Sequence, residues 1–425
     1  AAAHRYTLTL SQSCPATPGQ AQKEPFVIPV AMGLLGRSGA ALTLHVDGEA
    51  QPRGTETVLV LDQAEMTVTF LNVDESPVPS LLRGFSAPVV LQDELTPEDR
   101  LVLLSSDSDA FNRWEAGQRL MLERLLPAAQ AGTDVVLDEP FVAALRGVLN
   151  HPQLDAAFKE LALTVPSQSV LYEQMGTVNP AHVHRARESM RAQLASVLHD
   201  DWAQAYELNQ VREGYSPNAE QSGRRALANL ALSMLVLQAG ATGDRVWPGR
   251  AYQMVKDATN MTERLGALTA LVHAHAELAD AALAHFHALF KDEALVIDKW
   301  FAVQATAPER DGRVYERVRA LLQHPDYTAR NPNRARSLVF AYAMLNPAAF
   351  HRTDAAGYVF WADRMVEFDT LNPQLAARLA RVMDRWQQLA EPWRSAAREA
   401  ISRVAGRSEM SADAKEILTR ALQEN

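Results

Sequence analysis

The period of the hydrophobic pattern changes near residue 105, and this change constrains the fold more than any other feature of the chain. Before it, apolar residues alternate with polar or β-branched ones, as in residues 6–10 and 66–70, a pattern typical of half-buried strands. After Ser105 the apolar residues recur at helical spacing, and Ala, Leu, Arg and Glu dominate as far as residue 422. The sequence therefore predicts a multidomain chain with a β part followed by an all-α part.

The first 104 residues are rich in turn signals. Nine of the chain's 22 prolines lie before residue 100, and Gly, Pro or Asp clusters at 36–39, 47–48, 52–54 and 76–79 separate the apolar stretches. About seven short strands in a segment of this size predict an Ig-like antiparallel β-sandwich over residues 1–104. The Cys…Trp…Cys pattern of true Ig domains is absent from the sequence.

Residues 105–425 predict one helix after another, joined by short connections. Asn-Pro occurs at 179–180, 331–332, 346–347 and 372–373, and each pair is typical of a helix start, with Asn as the N-cap and Pro in the first turn. A single hydrophobic core rarely grows to the size of this segment. We therefore expect an armadillo/HEAT-like superhelical solenoid rather than one helical bundle.

One pair of segments within the helical part looks internally related. Arg146-Gly-Val-Leu-Asn-His151-Pro152 resembles Arg319-Ala-Leu-Leu-Gln-His324-Pro325, and both close an apolar helical stretch with His-Pro. Two helices that merely end in the same way explain this resemblance as well as two units of a solenoid do. The sequence leaves both explanations open.

Charge and composition exclude several classes of function. With 41 basic and 51 acidic residues, the net charge of −10 argues against a general nucleic-acid binder, which needs a basic face. No apolar run reaches the roughly 18–20 residues of a membrane-spanning helix, and no signal pattern opens the chain. The single cysteine, Cys14, suggests a reducing, cytoplasmic location. Because the chain opens with Ala1-Ala2-Ala3-His4 and not with Met, we expect a processed or excised piece.

The familiar catalytic motifs are absent from the sequence. None of the twelve histidines belongs to an H-E-x-x-H zinc motif, and there is no G-x-S-x-G elbow or phosphate-binding P-loop. The closest histidine pairs, at 182/184, 273/275 and 285/287, are two residues apart and so point about 200° away from each other on a helix. We expect no metal, no cofactor and no catalytic residue in this chain.

A polar cluster at a predicted helix start is the first candidate binding site. In Asn331-Pro-Asn333-Arg334-Ala-Arg336 two arginines fall in the first turns of a capped helix, where the helix dipole disfavours cations. These arginines should therefore have anionic partners, and a ligand carboxylate is one such partner. The alternative is a solvated charged face whose partners are Asp and Glu side chains of the protein itself.

A second cluster follows the Asn-Pro at 372–373. Gln374, Arg378 and Arg381 are spaced four and three residues apart and would lie on nearly one face of a helix. The same two interpretations apply here, a binding surface or a solvated charged face.

Motifs along the whole chain resemble the C-terminal half of the bacterial aminopeptidase N family. Each motif is short, but they occur in the family's order from residue 5 to the end. The matching β segments are Tyr6-Thr-Leu-Thr-Leu-Ser-Gln12, Pro25-Phe-Val-Ile-Pro29, Pro77-Val-Pro-Ser-Leu-Leu82 and Phe85-Ser-Ala-Pro88. The matching helical segments are Phe111-Asn-Arg-Trp114-Glu-Ala-Gly-Gln118, Asn260-Met-Thr-Glu-Arg264-Leu, Asp298-Lys-Trp-Phe-Ala-Val-Gln304-Ala, Asn331-Pro-Asn-Arg-Ala-Arg-Ser-Leu338, Phe350-His351, Gly357-Tyr358 and Asn372-Pro-Gln-Leu-Ala-Ala-Arg378.

The resemblance implies that this chain is a non-catalytic part of a zinc-dependent enzyme that removes N-terminal amino acids from peptides. The family's zinc, general-base Glu and Gly-x-Met-Glu-Asn loop belong to N-terminal and catalytic domains that are missing here. Those domains and peptide substrates are the implied partners, with no nucleic acid and no membrane. The helical part walls and caps the active-site chamber and controls substrate access. The implied chamber residues are Arg336, Gln374 and Arg378, with Asn331, Asn333 and Arg334 as neighbours at the helix start.

A second hypothesis of a different class stays open. The chain could be a stand-alone helical-repeat scaffold that binds another protein on its concave face. Both hypotheses predict a β-sandwich followed by a solenoid. They differ in whether the candidate arginines face a peptide chamber.

Overall fold

A computed structural model describes residues 4–423, so the opening residues 1–3, interpreted above as the edge of a piece, lie outside it. Within the described residues there are six strands in two antiparallel sheets, of order β1-β5-β3 and β4-β2-β6. The strands are β1 (Arg5–Ser11), β2 (Ile28–Leu35), β3 (His45–Val46), β4 (Glu56–Leu61), β5 (Glu65–Leu71) and β6 (Val78–Leu81).

The predicted period-two alternation is confirmed where β1 pairs with β5. Leu8 and Phe70 turn inward and are buried, while Thr7 and Thr9 face Thr69 and Thr67 across the outer surface of the pair. Both sheets contribute to one apolar core, which makes the region an antiparallel sandwich. The core residues of this sandwich are Leu8, Val30, Met32, Leu34, Leu44, Leu59, Phe70, Val73, Leu82 and Ala87.

The sandwich has fewer strands than the seven or so expected from the sequence. The apolar stretch 42–46 predicted a full strand, but only the two residues of β3 pair within a sheet. The backbone N–H of Leu42 donates to the carbonyl of Leu34, whereas that of Leu44 donates to the carbonyl of Gly54, so the segment pairs with two different parts of the chain. Leu44 is buried, but the segment does not form a continuous ladder of hydrogen bonds with one strand.

Helices begin at Pro97, ahead of the predicted change near residue 105. Thr96 accepts the backbone N–H of Asp99, and the Asp99 carboxylate accepts the N–H of Thr96, so this start is a complete capping box with Pro at the first helical position. The helices before residue 200 are α1 (Pro97–Ser106), α2 (Ala110–Ala131), α3 (Glu139–Leu149), α4 (Ala156–Leu163), α5 (Gln168–Gln174) and α6 (Pro180–Val197).

Fourteen further α-helices complete the described chain. They are α7 (His199–Leu208), α8 (Ala219–Thr242), α9 (Val246–Asp257), α10 (Met261–His273), α11 (Ala279–Phe290), α12 (Ala294–Ala305), α13 (Arg313–Leu321), α14 (Pro332–Ala335), α15 (Ala341–Leu345), α16 (Pro347–Phe350), α17 (Ala356–Leu371), α18 (Pro373–Ala380), α19 (Trp393–Ala405) and α20 (Ala412–Leu422). A π turn (Arg336–Phe340) joins α14 to α15, and 3₁₀ turns occupy Arg83–Phe85, Arg381–Met383 and Trp386–Gln388.

The chain divides into two compact units, one of residues 1–123 and 137–164, the other of 124–136 and 165–425. In the second unit, α6, α8, α9, α10 and α17 each pack against the next helix and the next but one. Such neighbour packing is the pattern of a helical-repeat domain. Contacts distant in sequence add to it, since Val178 bonds through its backbone to Gln388 and Ala390.

All four Asn-Pro pairs are helix starts, as the sequence predicted. Asn179, Asn331, Asn346 and Asn372 each accept at least one backbone N–H of the following turn, and Pro occupies the first helical position every time. In the part of the chain that the structure describes, no helix combines the length and apolar character needed to span a membrane.

One of these caps should matter far more to stability than the others. The buried Asn346 also donates its side-chain amide to the carbonyls of Ala305 and Ala307, at 3.0 and 2.7 Å. Asn346→Ala removes a cap and leaves two carbonyls unpaired, so we expect a loss of about 2–4 kcal/mol of unfolding free energy. Asn179→Ala removes a cap alone and should lose about 1 kcal/mol. Urea unfolding followed by circular dichroism compares the two, and equal losses would contradict the role assigned to Asn346.

Candidate functional site

The first candidate cluster begins a helix that contains the π turn. The Asn331 side chain accepts the N–H groups of Asn333 and Arg334, at 3.0 and 3.4 Å, and so fixes the start of α14. Four residues later the winding widens into the π turn, whose first residue is Arg336. π turns are rare inside helices and occur frequently at functional sites. This feature draws attention to Arg336 independently of the sequence motif.

Arg334 is buried and has three polar partners within the protein. Its Nε donates to Asp298 Oδ1 at 2.6 Å, and its terminal nitrogens donate to the backbone carbonyls of Asp326 and of Ala294. The guanidinium carbon also lies 4.9 Å from the centre of the Phe301 ring, a cation–π contact. The anionic partner expected for this arginine is therefore Asp298 of α12, and its contacts tie the start of α14 to α12.

Arg336 and Asn333 have the opposite environment. Both side chains are exposed, and neither makes a side-chain hydrogen bond or ion pair with another residue between 4 and 423. An unpaired arginine near a helix start is electrostatically unfavourable unless solvent or an anionic ligand supplies the missing charge. Of the two arginines in this cluster, Arg336 is the one available to a ligand.

The second cluster is also partly available. Asn372 caps α18 by accepting the N–H of Leu375 at 3.2 Å, and Gln374 and Arg378 are exposed one helical turn apart. Neither has a hydrogen-bonding or ion-pairing partner among the described side chains. Arg381 directly follows α18, as its C-cap and as the first residue of the next 3₁₀ turn.

Helix α17 separates the two clusters in sequence and contacts the segments that carry them. The ring of Phe340, in the π turn, stacks on Phe368 of α17, with centroids 6.3 Å apart and an angle of 10° between the planes. The carbonyl of Phe368 accepts the N–H of Asn372 at 2.6 Å, where α18 begins. Phe368 thus contacts the π turn through its ring and the start of α18 through its backbone carbonyl.

A group that the sequence analysis missed lies beside Arg334. His287 of α11 and the pair His324 and Asp326, after α13, bring their ligand atoms within 4.8 Å of one another. Burial lowers the pKa of the His324 imidazole, although the Asp326 carboxylate acts in the opposite direction. The only signal for this group in the sequence is the His-Pro pair at 324–325, because the partner histidine is remote in the chain.

Two family models together match nearly all of the chain. A family described as a domain of unknown function with an Ig-like fold (DUF3458) matches residues 1–94, and its C-terminal counterpart, described as ARM repeats (DUF3458_C), matches residues 97–423. The chain belongs to this family. The expected fold class, an Ig-like region followed by a helical-repeat domain, is thereby confirmed. The predicted domain boundary between residues 104 and 105 stays a prediction.

Two relatives and one solved structure show which proteins the chain is similar to. Aminopeptidase N of Caulobacter vibrioides is 40% identical over 392 residues, which cover 92% of this chain and 44% of that protein. Aminopeptidase N of Escherichia coli is 35% identical over 98% of this chain and 47% of its own length. A crystal structure of Legionella pneumophila aminopeptidase A in complex with aspartic acid matches 99% of this chain and 47% of that protein, with a TM-score of 0.82 and 26% identity.

These matches confirm the resemblance found in the sequence. The chain is homologous to the C-terminal part of aminopeptidase N. It spans about half the length of the relatives that it matches.

Replacing Arg334 and replacing Arg336 should have very different effects on the free energy of unfolding. Arg334→Met leaves the Asp298 carboxylate, which is 14% exposed, without its partner, and should lower the unfolding free energy by about 3 kcal/mol. Arg336→Met removes an exposed side chain and should change it by less than about 0.5 kcal/mol. Urea unfolding of the two variants measures the difference. A small loss for Arg334→Met would contradict the structural role of its ion pair.

Proposed function

We propose that this chain acts as the non-catalytic C-terminal part of a zinc-dependent aminopeptidase that removes N-terminal amino acids from peptides. In this role it walls and caps the active-site chamber and controls substrate access. The observation that carries the proposal is the homology to aminopeptidase N, which extends over 92–99% of the chain at 32–40% identity. The proposal includes a cytoplasmic location, consistent with the single exposed cysteine, Cys14.

The chemistry of peptide-bond cleavage is assigned to domains outside this chain. The sequence has no H-E-x-x-H motif, so neither the zinc of a metalloaminopeptidase nor its general-base Glu is placed on residues 1–425. A metal-bound water would supply the nucleophile in that missing part. The residues of this chain then bind and orient the peptide beyond the cleaved bond.

Arg336 and Arg378 are the residues best suited to hold a peptide. A guanidinium binds a carboxylate through two parallel hydrogen bonds, and it also donates to backbone carbonyls. Both arginines are exposed and have no partner among the described side chains, so binding a peptide breaks no ion pair of the protein. Gln374 can both donate to and accept from a peptide backbone. Asn331, Asn333 and Arg334 are assigned to the helix start that carries Arg336.

The alternative function, a stand-alone scaffold for a partner protein, uses the same exposed residues differently. A scaffold requires neither a catalytic domain nor a peptide of defined length. Peptide kinetics of the full-length protein that contains this chain therefore discriminate between the two.

We expect Arg336→Ala and Arg378→Ala to lower kcat/KM for a short peptide by about 10-fold, the worth of one charge-assisted hydrogen bond. An aminoacyl anilide has only an aromatic ring beyond the cleaved bond, with no peptide backbone or carboxylate, so its kcat/KM should change by less than about 2-fold. Amidation of the peptide's C-terminus should abolish the effect of whichever arginine binds the carboxylate. Steady-state assays with the three substrates measure these differences.

Arg398→Ala is the matched control, because Arg398 is an exposed arginine of α19 outside both clusters. It should leave all three substrates unaffected. Equal losses on peptide and anilide for Arg336→Ala and Arg378→Ala would assign these residues to folding. No loss on either substrate would favour the scaffold. The isolated 425-residue chain should not hydrolyse the anilide at all, and turnover would contradict a non-catalytic role.

A further inference from the structure

Three potential metal ligands from distant parts of the chain converge beside α12. His287 Nε2 lies 2.6 Å from Asp326 Oδ2, and His324 Nδ1 lies 3.7 Å from the same oxygen. His287 is in α11, whereas His324 and Asp326 belong to the turn after α13. The convergence therefore depends on the tertiary fold and is not a consequence of helical spacing.

The aromatic side chain of Trp300 packs against both histidine ligands. The ring of Trp300 lies 5.0 Å from the His287 ring and 5.1 Å from the His324 ring, measured between centroids. The Trp300 indole N–H donates to the carbonyl of Leu283 at 2.9 Å, which fixes its orientation. The three ligand side chains keep 25%, 27% and 34% of their surface exposed, so one side of the group is open to water.

Two hydrogen bonds occupy the ligand atoms, and a metal ion would replace both. The backbone N–H of Asp326 donates to His324 Nδ1 at 3.2 Å, so Nδ1 carries no proton, and a metal ion bound there would take over the lone pair that now accepts this N–H. A proton on His287 Nε2 bridges to the Asp326 carboxylate. A metal ion can replace that bridging proton, as it does when neutral imidazole and carboxylate become ligands.

The surrounding charges leave a net negative group. Arg334 is a neighbouring cation, but its charge is balanced by Asp298, and it contacts Asp326 through the backbone carbonyl. The Asp326 carboxylate is therefore not neutralised by an arginine. A divalent cation would complete the charge balance.

The related His-Pro turn earlier in the chain provides an internal comparison. There the N–H of Gln153 donates to His151 Nδ1, also at 3.2 Å, so the two turns share the same local hydrogen bond. The first turn has Gln153 where the second has Asp326. The carboxylate is thus an addition to this turn and is not required to form it.

We propose that His287 Nε2, His324 Nδ1 and Asp326 Oδ2 bind one divalent transition-metal ion of the Zn²⁺ class, with water as the fourth ligand. Two imidazoles and one carboxylate are a ligand set for zinc or cobalt, whereas calcium and magnesium prefer oxygen alone. Tetrahedral ligands at zinc distances are about 3.3 Å apart. The 2.6 Å separation must therefore widen, the 3.7 Å separation must narrow, and the two histidine nitrogens must also settle at this spacing.

This site departs from the expectation, based on histidine spacing within single helices, that the chain holds no metal. It also does not depend on the proposed peptidase function. The bound ion would join α11 to the turn whose Asp326 carbonyl accepts a hydrogen bond from Arg334.

Metal titration of the 425-residue chain, first dialysed against a chelator, tests the site. Calorimetry should show one Zn²⁺ per chain, and Co²⁺ should give the visible absorption of a tetrahedral complex that Zn²⁺ displaces. His287→Gln, His324→Gln and Asp326→Asn should each weaken Zn²⁺ binding by at least about 10-fold. Zn²⁺ should raise the thermal unfolding temperature of the unsubstituted chain and leave that of Asp326→Asn nearly unchanged.

His285→Gln is the matched control, because His285 is on the same helix two residues from His287. This variant should bind Zn²⁺ as tightly as the unsubstituted chain does. Circular dichroism identifies any variant that fails to fold. Asp326→Asn keeps the backbone carbonyl that Arg334 contacts, so it is the variant that tests the site if a histidine variant unfolds. Absence of saturable binding, or full binding by folded Asp326→Asn, would overturn the proposal.

Discussion

The buried Arg334, paired with Asp298, links the start of α14 to helix α12 and to the turn at Asp326, and the first candidate cluster and the proposed metal ligands depend on this link. A buried guanidinium is tolerated only when it is paired and its donors are satisfied, and here one carboxylate and two carbonyls from separate segments satisfy it. The pair fixes where α14 starts, and with it the place of Arg336. Through the Asp326 carbonyl it also holds the turn that carries His324. The structural role of Arg334 thus supports both Arg336 of the proposed peptide site and the proposed metal site, without Arg334 being assigned as a ligand of either.

The fold could be predicted from the sequence to the extent that local rules govern it. Alternation predicted the strands β1 and β5, although not their pairing, and the four Asn-Pro pairs predicted helix starts that the structure confirms. Local rules failed where tertiary partners decide. The stretch around Leu44 alternates like a strand but bonds to two different segments. The closure of Val178 on Ala390 has no local signal at all.

The candidate site shows the same division. Electrostatics at a helix start predicted that the two arginines need anionic partners, but only the fold determines that Arg334 turns inward to Asp298 while Arg336 stays exposed. Residues two apart on a helix point in nearly opposite directions, so Arg334 and Arg336 could not both face the interior. The π turn depends on packing, and the approach of His287 to Asp326 spans 39 positions in sequence. Neither could be derived from spacing.

In the proposed function, the start of α14 and helix α18 present unpaired arginines to a peptide that another domain cleaves. The homology supports the role of the chain, and the exposure of Arg336 and Arg378 supports the choice of residues. The most direct measurement is a crystal structure of the full-length protein with a bound peptide that cannot be cleaved. We expect guanidinium nitrogens of Arg336 and Arg378 within about 3 Å of peptide oxygens. A peptide bound elsewhere, with both arginines on a surface that it does not touch, would contradict the proposed role of these residues.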